Sequence, residues 1–467
     1  MQLPQQFLDS LAGIKGFNKE SFIQVHESGE QVTSVRVNPF KPIGARESLL
    51  SDPLSIADCR LPIAAKIPWS SYGYYLTERP SFIFDPLLHA GAYYVQEASG
   101  MFVEQALKQT TDTSQPLRVL DLCAAPGGKS TLLQSLINDE SLLVSNEVIK
   151  SRATILEENC TKWGGPNVVV TNADPATFAR LENFFDVIVI DAPCSGSGLF
   201  RREPEAIAEW SEQNVHLCFQ RQQRILADVF PALKQGGVLI YSTCSYSKQE
   251  DEDIADWIMD TFAVTGLQLA TEPSWGIVEV ASDKHQAPGY RFFPDKIKGE
   301  GFFISCFRKE EGGHATIRPP KKSLLQKASK HETAIIQPWL NSNKPVQLWK
   351  QKDQILAFPA IFEKELLTIV DQLYVRQAGT GIGKIAGNDL IPDHALAVST
   401  IINDTIVAVS LKKEEAIQYL RKEEVSVSTA LKGWTLVQYG AYNLGWIKVL
   451  QNRINNYYPA NWRILKK

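Results

Sequence analysis

The chain reads as an α/β protein built on a mostly parallel sheet, and three observations predict it. From residue 117 to residue 307, apolar runs of strand length alternate with helical stretches. Such alternation belongs to parallel strands joined by crossover helices that cover both faces of the sheet. Three of the runs end in polar loops of small residues. Leu117-Arg118-Val119-Leu120 leads into Asp121-Leu122-Cys123-Ala124-Ala125-Pro126-Gly127-Gly128-Lys129, Phe184 to Ile190 leads into Asp191-Ala192-Pro193-Cys194-Ser195-Gly196-Ser197-Gly198, and Gly237 to Tyr241 leads into Ser242-Thr243-Cys244-Ser245. Ligands of open parallel sheets bind just past the carboxyl ends of the strands, so these loops are expected to converge on one site.

Each element follows from its pattern. Strand 117–122 is followed by a helix from about Gly128 to Asn138. Strand 142–147 ends at Glu147, with a helix to Trp163. Strand 167–172 ends before Asp174, and strand 185–190 ends at Asp191. A long helix covers roughly 212–233, strand 237–242 runs to Cys244, a helix spans about 249–262, and Gly301 to Phe307 is a last strand. Before this block, residues 1–85 mix helix and strand signals, with a short strand at Ser34–Asn38, and read as a separate N-terminal extension. The catalytic domain is expected over 86–312. Residues 313–330 are basic and poor in apolar side chains, so they read as a linker. A middle region at 331–390 and a β-rich domain at 391–467 complete the organisation.

At 467 residues the chain is long enough for two to four domains, and 44% hydrophobic with 21% charged is an ordinary globular balance. No basic start leads into an apolar segment, so no signal peptide is expected, and no apolar run reaches the roughly 18 residues of a membrane span. Seven cysteines without a C-x-x-C pair argue against a disulfide framework or a zinc site, and suit free thiols in a reducing cytoplasm. Cys59, Cys160, Cys218 and Cys306 are expected to be small buried hydrophobes, and Cys123 to pack within its loop.

The net charge of −4 hides an asymmetry. Residues 313–467 carry +9 and residues 1–312 carry −13, and no acidic residue follows Glu424. The tail instead holds Lys432, Lys448, Arg453, Arg463, Lys466 and Lys467 among Trp434, Tyr439, Tyr442, Trp446, Tyr457, Tyr458 and Trp462. Cations neutralise phosphates and flat rings stack on unpaired bases, so the tail is read as RNA-binding. Individual aromatics are expected mostly in the core of the tail domain.

Gly127-Gly128 after a strand lets a backbone approach a ligand, and the helix that follows presents its N-terminus. The loop is neither a P-loop nor a G-x-G-x-x-G fingerprint. Glu147 at the next strand end can grip ribose hydroxyls, and Asp174 at the one after can meet an adenine edge. In series these three elements favour S-adenosylmethionine. The thiols suggest what is methylated. Carbon 5 of cytosine becomes nucleophilic once a thiolate adds to carbon 6, and Cys244 could add. Asp191 could hydrogen-bond and protonate the ring edge, and Cys194 is placed to assist the step that frees the product. Pro193 and Gly196 shape a loop with space for a flipped-out base.

Together, D-L-C-A-A-P-G-G-K-S, D-A-P-C-S-G-S-G and Y-S-T-C-S resemble the RNA cytosine-C5 methyltransferases, whose paired-cysteine layout differs from that of the DNA enzymes. Arg291-Phe292-Phe293-Pro294 with Glu300-Gly301-Phe302-Phe303 is similar to a late block of that family, and Tyr93 to Glu97 to a stretch before its cofactor domain. Asn455-Asn456-Tyr457-Tyr458-Pro459 resembles the end of the PUA-type module in the bacterial branch that acts on 16S ribosomal RNA. Residues 313–390 match only loosely. The resemblance implies a Rossmann-like class I S-adenosylmethionine-dependent methyltransferase with a C-terminal PUA-like domain. By motif match, Cys123, Ala124, Ala125, Pro126, Gly127, Gly128 and Lys129 form the cofactor loop. Glu147, Asp174 and Asp191 also contact the cofactor, with Asp191 between it and the cytosine. Cys244 matches the nucleophile and Cys194 the cysteine that promotes product release. Arg201 and Arg202 match a basic pair and are read as phosphate contacts, the ordinary alternative being an exposed ion pair with Glu203 or Glu205. Lys448, Arg453 and Arg463 are the expected tail contacts.

The expected enzyme is a monomeric cytoplasmic 16S rRNA methyltransferase acting on a 30S subunit or its precursor, with no metal and no membrane. Transfer RNA as substrate, a silent RNA-binding assembly factor and a protein-directed methyltransferase are the alternatives. Two loop thiols argue against the last two.

Overall fold

The computed structural model describes residues 3–41, 61–313, 317, 319–425 and 432–466. Cys59 lies outside the described residues.

Four strands form an N-terminal sheet: β1 (Ser34–Val37), β2 (Ile63–Lys66), β3 (Gly73–Leu76) and β4 (Tyr93–Val95), in the order β2-β3-β1-β4. Because Tyr93 pairs with Val37 in this sheet, the N-terminal unit extends past the expected boundary at residue 85. Arg36 projects from β1 into the catalytic domain. Its guanidinium donates to the carbonyls of Gly128 and Thr131, each at 3.2 Å, and lies over the Trp163 ring.

The catalytic sheet is built from β5 (Arg118–Asp121), β6 (Leu142–Asn146), β7 (Val168–Thr171), β8 (Phe185–Asp191), β9 (Leu233–Thr243), β10 (Val264–Gly266), β11 (Val278–Ala281), β12 (Pro288–Phe292) and β13 (Phe302–Lys309). Strands β7-β6-β5-β8-β9 run parallel, as the βα alternation requires. The four strands after β9 add antiparallel. The sheet is therefore mixed, its parallel half carrying the loops of interest.

Side chains of successive strand residues point to opposite faces. Leu120, Val144, Ile188, Ile190 and Leu239 enter one apolar core, while Val119, Leu143, Val187, Val189 and Ile240 enter the other. Helices cover both faces, so the central strands read as unbroken apolar runs. Helix Lys150–Trp163 stops at Gly164, whose φ of +93° is the left-handed conformation that ends a helix cheaply.

The remainder holds β14 (Gln326–Lys327), β15 (Val346–Gln351), β16 (Gln354–Pro359), β17 (Val375–Ala378), β18 (Thr380–Ala386) and β19 (Asp389–Pro392). All but β17 form one antiparallel sheet. β17 instead pairs with β7, and so covers an edge of the catalytic sheet that would otherwise expose unpaired backbone. Helix Glu363–Gln372, before it, sends Leu366 and Ile369 into the core that holds Phe178 and Phe184. Part of the segment read as a linker is also structured: Leu325 is buried in that core, and β14 pairs with β15. The expected boundary at 390/391 runs through β19. Leu396, Ala397, Ile401 and Ile402 pack with the middle sheet.

The tail carries β20 (Ala408–Ser410), β21 (Gly433–Tyr439), β22 (Tyr442–Val449) and β23 (Ile454–Asn456), paired in that order. Tyr442, Trp446 and Tyr458 are buried, whereas Tyr457 is exposed and Trp434, Tyr439 and Trp462 are half-buried. Among the described residues, no helix is long and apolar enough to cross a membrane.

Candidate active site

The ends of β5, β8 and β9 are neighbours in the sheet, so the three small-residue loops open side by side. The first turns through Gly127, at φ +115°, into helix Gly128–Leu136. Only a residue without a Cβ adopts this backbone without strain. A Cβ on Gly128 would sit 3.3 Å from the Tyr94 ring, so that loop is also closely covered.

The acids expected around this loop take different positions. Asp121 is fully buried, with Ser130 Oγ donating to Oδ2 at 2.6 Å and Oδ1 without a partner among the described residues. Burial raises its pKa to about 7, against the opposing help of Ser130. Glu147 is buried, accepts the Ile149 amide at 2.8 Å and lies 3.4 Å from Arg152. Beside it, Val148 and Ile149 stand exposed, an apolar shelf at a strand end. Asp174 is exposed and caps the short helical turn Pro175–Arg180 through the Ala176 amide.

Asp191 ends β8 and accepts Ser242 Oγ at 2.9 Å, while Lys129 Nζ sits 2.7 Å from its other oxygen. Burial disfavours the Lys129 ammonium, but the charge and hydrogen bond of Asp191 outweigh it and hold its pKa above the usual value. The pair joins the first loop to the second.

The sulfurs of Cys194 and Cys244 lie 2.9 Å apart, both thiols half-buried. The hydrogen bond with Cys244, then burial, push the Cys194 thiol well above its usual range. Backbone contacts zip the two loops together. The Ala192 amide donates to Ser242 O and the Gly198 amide to Cys244 O, each at 2.8 Å, and Tyr246 N donates to Ser197 Oγ at 3.0 Å. Cys160, Cys218 and Cys306 are buried away from the site, and Cys123 is half-buried within its loop.

Arg201 corrects an expectation. It is 7% exposed, donates to Gly299 O at 3.2 Å and to Glu30 O at 2.6 Å, and pairs with Glu300 at 3.8 Å. It braces this face of the catalytic domain against the N-terminal unit and is not available to a phosphate; its acid is Glu300 rather than Glu203 or Glu205. Arg202 is exposed and shares a cleft of about 220 Å³ with Arg79 and Glu203. In the tail, Arg453 and Arg463 are exposed, and Lys448 Nζ lies 5.1 Å from the centre of the Trp434 ring.

Sequence reasoning missed Glu250, which reaches both thiol loops, and Arg36, which holds the first. Glu250 sits in the run Gln249-Glu250-Asp251-Glu252-Asp253, which looks like the solvated start of a helix. Its signal was the serine after each cysteine.

Comparison with known proteins fits this geometry. Residues 107–308 match the family described as 16S rRNA methyltransferase RsmB/F, residues 3–98 the N-terminal domain of 16S rRNA methyltransferase RsmF, and residues 407–464 the methyltransferase RsmF PUA domain. Part by part, and over most of its length, the chain is thus similar to the 16S rRNA methyltransferases of the RsmB/F family. Ribosomal RNA small subunit methyltransferase F of Vibrio vulnificus strain YJ016 is 28% identical over 98% of this chain and 97% of its own. The protein of that name from Escherichia coli O127:H6 is 28% identical over 91% of this chain and 89% of its own. Among solved structures, a methyltransferase homolog from Pyrococcus horikoshii is 27% identical, with a TM-score of 0.52, over 66% of this chain and all of that one. NSun6 from the same organism, solved with SFG, shares the fold at 18% identity and a TM-score of 0.52, over 66% of this chain and 99% of that one. The enzyme is thus an rRNA methyltransferase with a Rossmann-like core, an N-terminal domain and a PUA domain.

Proposed function

We propose that this enzyme methylates carbon 5 of a cytosine in 16S ribosomal RNA, using S-adenosylmethionine and a transient bond between Cys244 and the base. The observation that carries the reading is the meeting of two thiols, 2.9 Å apart, beside the Asp191–Lys129 pair. A methyltransferase acting on an already nucleophilic atom needs neither sulfur.

The first loop and its surroundings suit the cofactor. The close backbone at Gly127 and Gly128, the unpartnered Asp121 oxygen, the buried Glu147 carboxylate and the apolar shelf of Val148 and Ile149 are groups that an amino acid, a ribose and an adenine would use. When bound, S-adenosylmethionine supplies an electrophilic methyl group. The presence of SFG in the Pyrococcus horikoshii NSun6 crystal accords with that choice.

In the reaction, Cys244 as thiolate adds to carbon 6 and the ring's electrons move toward carbon 5. In this reading Asp191, held by Lys129 and Ser242, hydrogen-bonds the ring nitrogen edge and supports its protonation. After methyl transfer, the proton on carbon 5 must leave before the Cys244 sulfur can be expelled. Cys194 is within reach of that sulfur. Once its own proton has passed to solvent, the Cys194 thiolate takes the proton from carbon 5, the 5,6 double bond re-forms and the Cys244 thiolate leaves; the raised pKa of Cys194 makes it the stronger base for that step. The basic tail supplies affinity for the RNA, carried on a ribosomal subunit or its precursor.

The test is a denaturing gel with 16S rRNA or 30S subunits. Cys194→Ala is expected to accumulate a covalent protein–RNA complex and Cys244→Ala none. Absence of a complex with Cys194→Ala on a substrate the wild type methylates would overturn the release role. Bisulfite mapping of total RNA with and without the gene would locate the base, and a changed site in transfer RNA instead would overturn the choice of substrate.

A further inference from the structure

The two thiols sit on short irregular loops, and the backbone contacts that zip those loops do not touch the residue directly after either cysteine. Those residues, Ser195 and Ser245, converge on one side chain. Glu250 Oε1 accepts the Ser195 amide at 2.8 Å, while Oε2 accepts Ser195 Oγ at 2.5 Å and Ser245 Oγ at 2.6 Å. Gln222, on helix Glu212–Val229, donates to Glu250 Oε1 at 3.3 Å and to Pro193 O at 3.2 Å, reaching the residue before Cys194 as well. The Glu250 carbonyl is itself fixed by the Tyr241 hydroxyl at 2.7 Å.

Glu250 has no accessible surface, and among the described residues no lysine or arginine lies within ion-pair distance of it. Burying a carboxylate this way is expensive unless hydrogen bonds satisfy it. Burial does raise its pKa, and the contacts from Ser195, Ser245 and Gln222 work against that rise. A core built for stability alone has cheaper ways to fill the space. What this arrangement adds is a rigid link between two loops that come from different strands.

We infer that Glu250 is a positioning residue for methyl transfer, its carboxylate fixing the separation of the Cys194 and Cys244 sulfurs by clamping the serines that follow them. The inference rests on the two-thiol reading above. Each thiol has one rotatable bond between its Cα and its sulfur, so the backbone at Ser195 and Ser245 decides where the sulfurs lie. Asp251 and Glu252, next in sequence, do a different job. They pair with Arg291, at 3.0 Å for Asp251, and secure the β9–β12 side of the sheet.

The experiment compares Glu250→Ala and Glu250→Gln in the full chain, with S-adenosylhomocysteine affinity as the check on folding. Serine hydroxyls accept as well as donate, so glutamine can keep the clamp without its charge. Glu250→Ala is expected to lose about a hundredfold in kcat, the cost of a misplacement of about 1 Å, with KM for RNA and cofactor nearly unchanged. Glu250→Gln is expected to recover most of that loss. Iodoacetamide should alkylate Cys194 and Cys244 faster in Glu250→Ala, as the loops loosen. Wild-type kcat in Glu250→Ala, a loss confined to KM, or a Glu250→Gln as slow as Glu250→Ala would each overturn the clamp. If Glu250→Ala does not fold, Ser245→Ala removes one arm and leaves the carboxylate bonded to Ser195 and Gln222. It is expected to lower kcat about tenfold, and an unchanged kcat would overturn the inference. A wild type that methylates no RNA, or a Cys194→Ala that forms no complex, refutes the two-thiol reading. An active wild type with an indifferent Glu250→Ala refutes the clamp alone.

Discussion

Gly198 offers the sharpest test of how closely the two cysteine loops are fitted. A Cβ built on it would lie 2.6 Å from Gly301 O, 2.7 Å from Cys244 O and 3.0 Å from Cys244 C. All three atoms are backbone, so no side chain can rotate out of the way. Ordinary contact begins at 3.4 Å, which leaves the alanine about 0.7 Å too close to the carbonyl of Cys244. The loops must part, and the parting strains the Gly198 N to Cys244 O hydrogen bond, now 2.8 Å. Overpacking of this kind costs about 1–3 kcal/mol of stability. A shift approaching 1 Å at a reacting sulfur costs up to about a hundredfold in rate. Gly198→Ala is therefore expected to fold, with a lowered denaturation midpoint, and to lose about ten- to a hundredfold in kcat with little change in KM. Steady-state methyl transfer to 16S rRNA and a urea titration measure both quantities. A variant with wild-type kcat would refute the claim that loop separation controls the chemistry, whatever its stability.

Stability should also respond to acid through histidine. Burial lowers the pKa of His26 and His89 to about 4 and of His394 to about 3, so each stays neutral when folded and is protonated when unfolded below its ordinary 6.5. A depressed pKa contributes stability that is present above 6.5 and is lost as pH falls toward the folded value. Asp121 and Glu300, raised to about 7 by burial, act in the opposite sense, their contribution lost as pH rises toward 7. For His394→Gln, the change in unfolding free energy between pH 7 and pH 5 should be less unfavourable than in wild type by about 2 kcal/mol; an identical pH dependence would refute it. In the tail, replacing Lys448, Arg453 and Arg463 by glutamine should weaken RNA binding and reduce the salt slope by about 2, at about 0.7 per lost contact to single-stranded phosphate. An unaltered slope would remove those three from the interface.

The parallel core was legible because its strands are buried on both faces and its helices follow at regular spacing. The loops were legible because small residues, acids and thiols at strand ends stand out against Val and Ile. What was not legible depends on partners far away in sequence. Glu250, Asp251 and Glu252 look like a solvated acidic run until Arg291, Ser195 and Gln222 are brought to them. Arg201 looks like an exposed phosphate contact until Glu30 and Glu300 surround it. Residues 313–330 looked like a linker because short strands with one buried leucine carry little periodic signal. The two misplaced domain boundaries have one cause: β4 and β19 each lie next to elements of a different expected unit in sequence, but pair within the sheet that precedes them.

The acidity of residues 1–312 sits awkwardly with an RNA substrate, and the structure resolves part of the difficulty. Among the described residues, eight of the acids in that stretch are buried: Glu104, Asp121, Glu147, Asp186, Glu250, Asp251, Glu252 and Glu300. Four buried cations among the described residues offset them: Arg36, Arg201, Arg291 and Lys309. The buried set thus accounts for −4 of the formal −13, and RNA meets an outer surface less acidic than the count implies. Raised pKa values of about 7 at Asp121 and Glu300 reduce the charge further near neutrality. What remains outside is still acidic, so long-range attraction cannot come from the catalytic surface as a whole. At an ionic strength near physiological, exposed charges act over about 8 Å. On the proposed reading, local cations such as Arg202 and Arg79 hold a phosphate beside an acidic neighbourhood, while the segment after Glu424, which has no acid, provides the attraction that brings the RNA there.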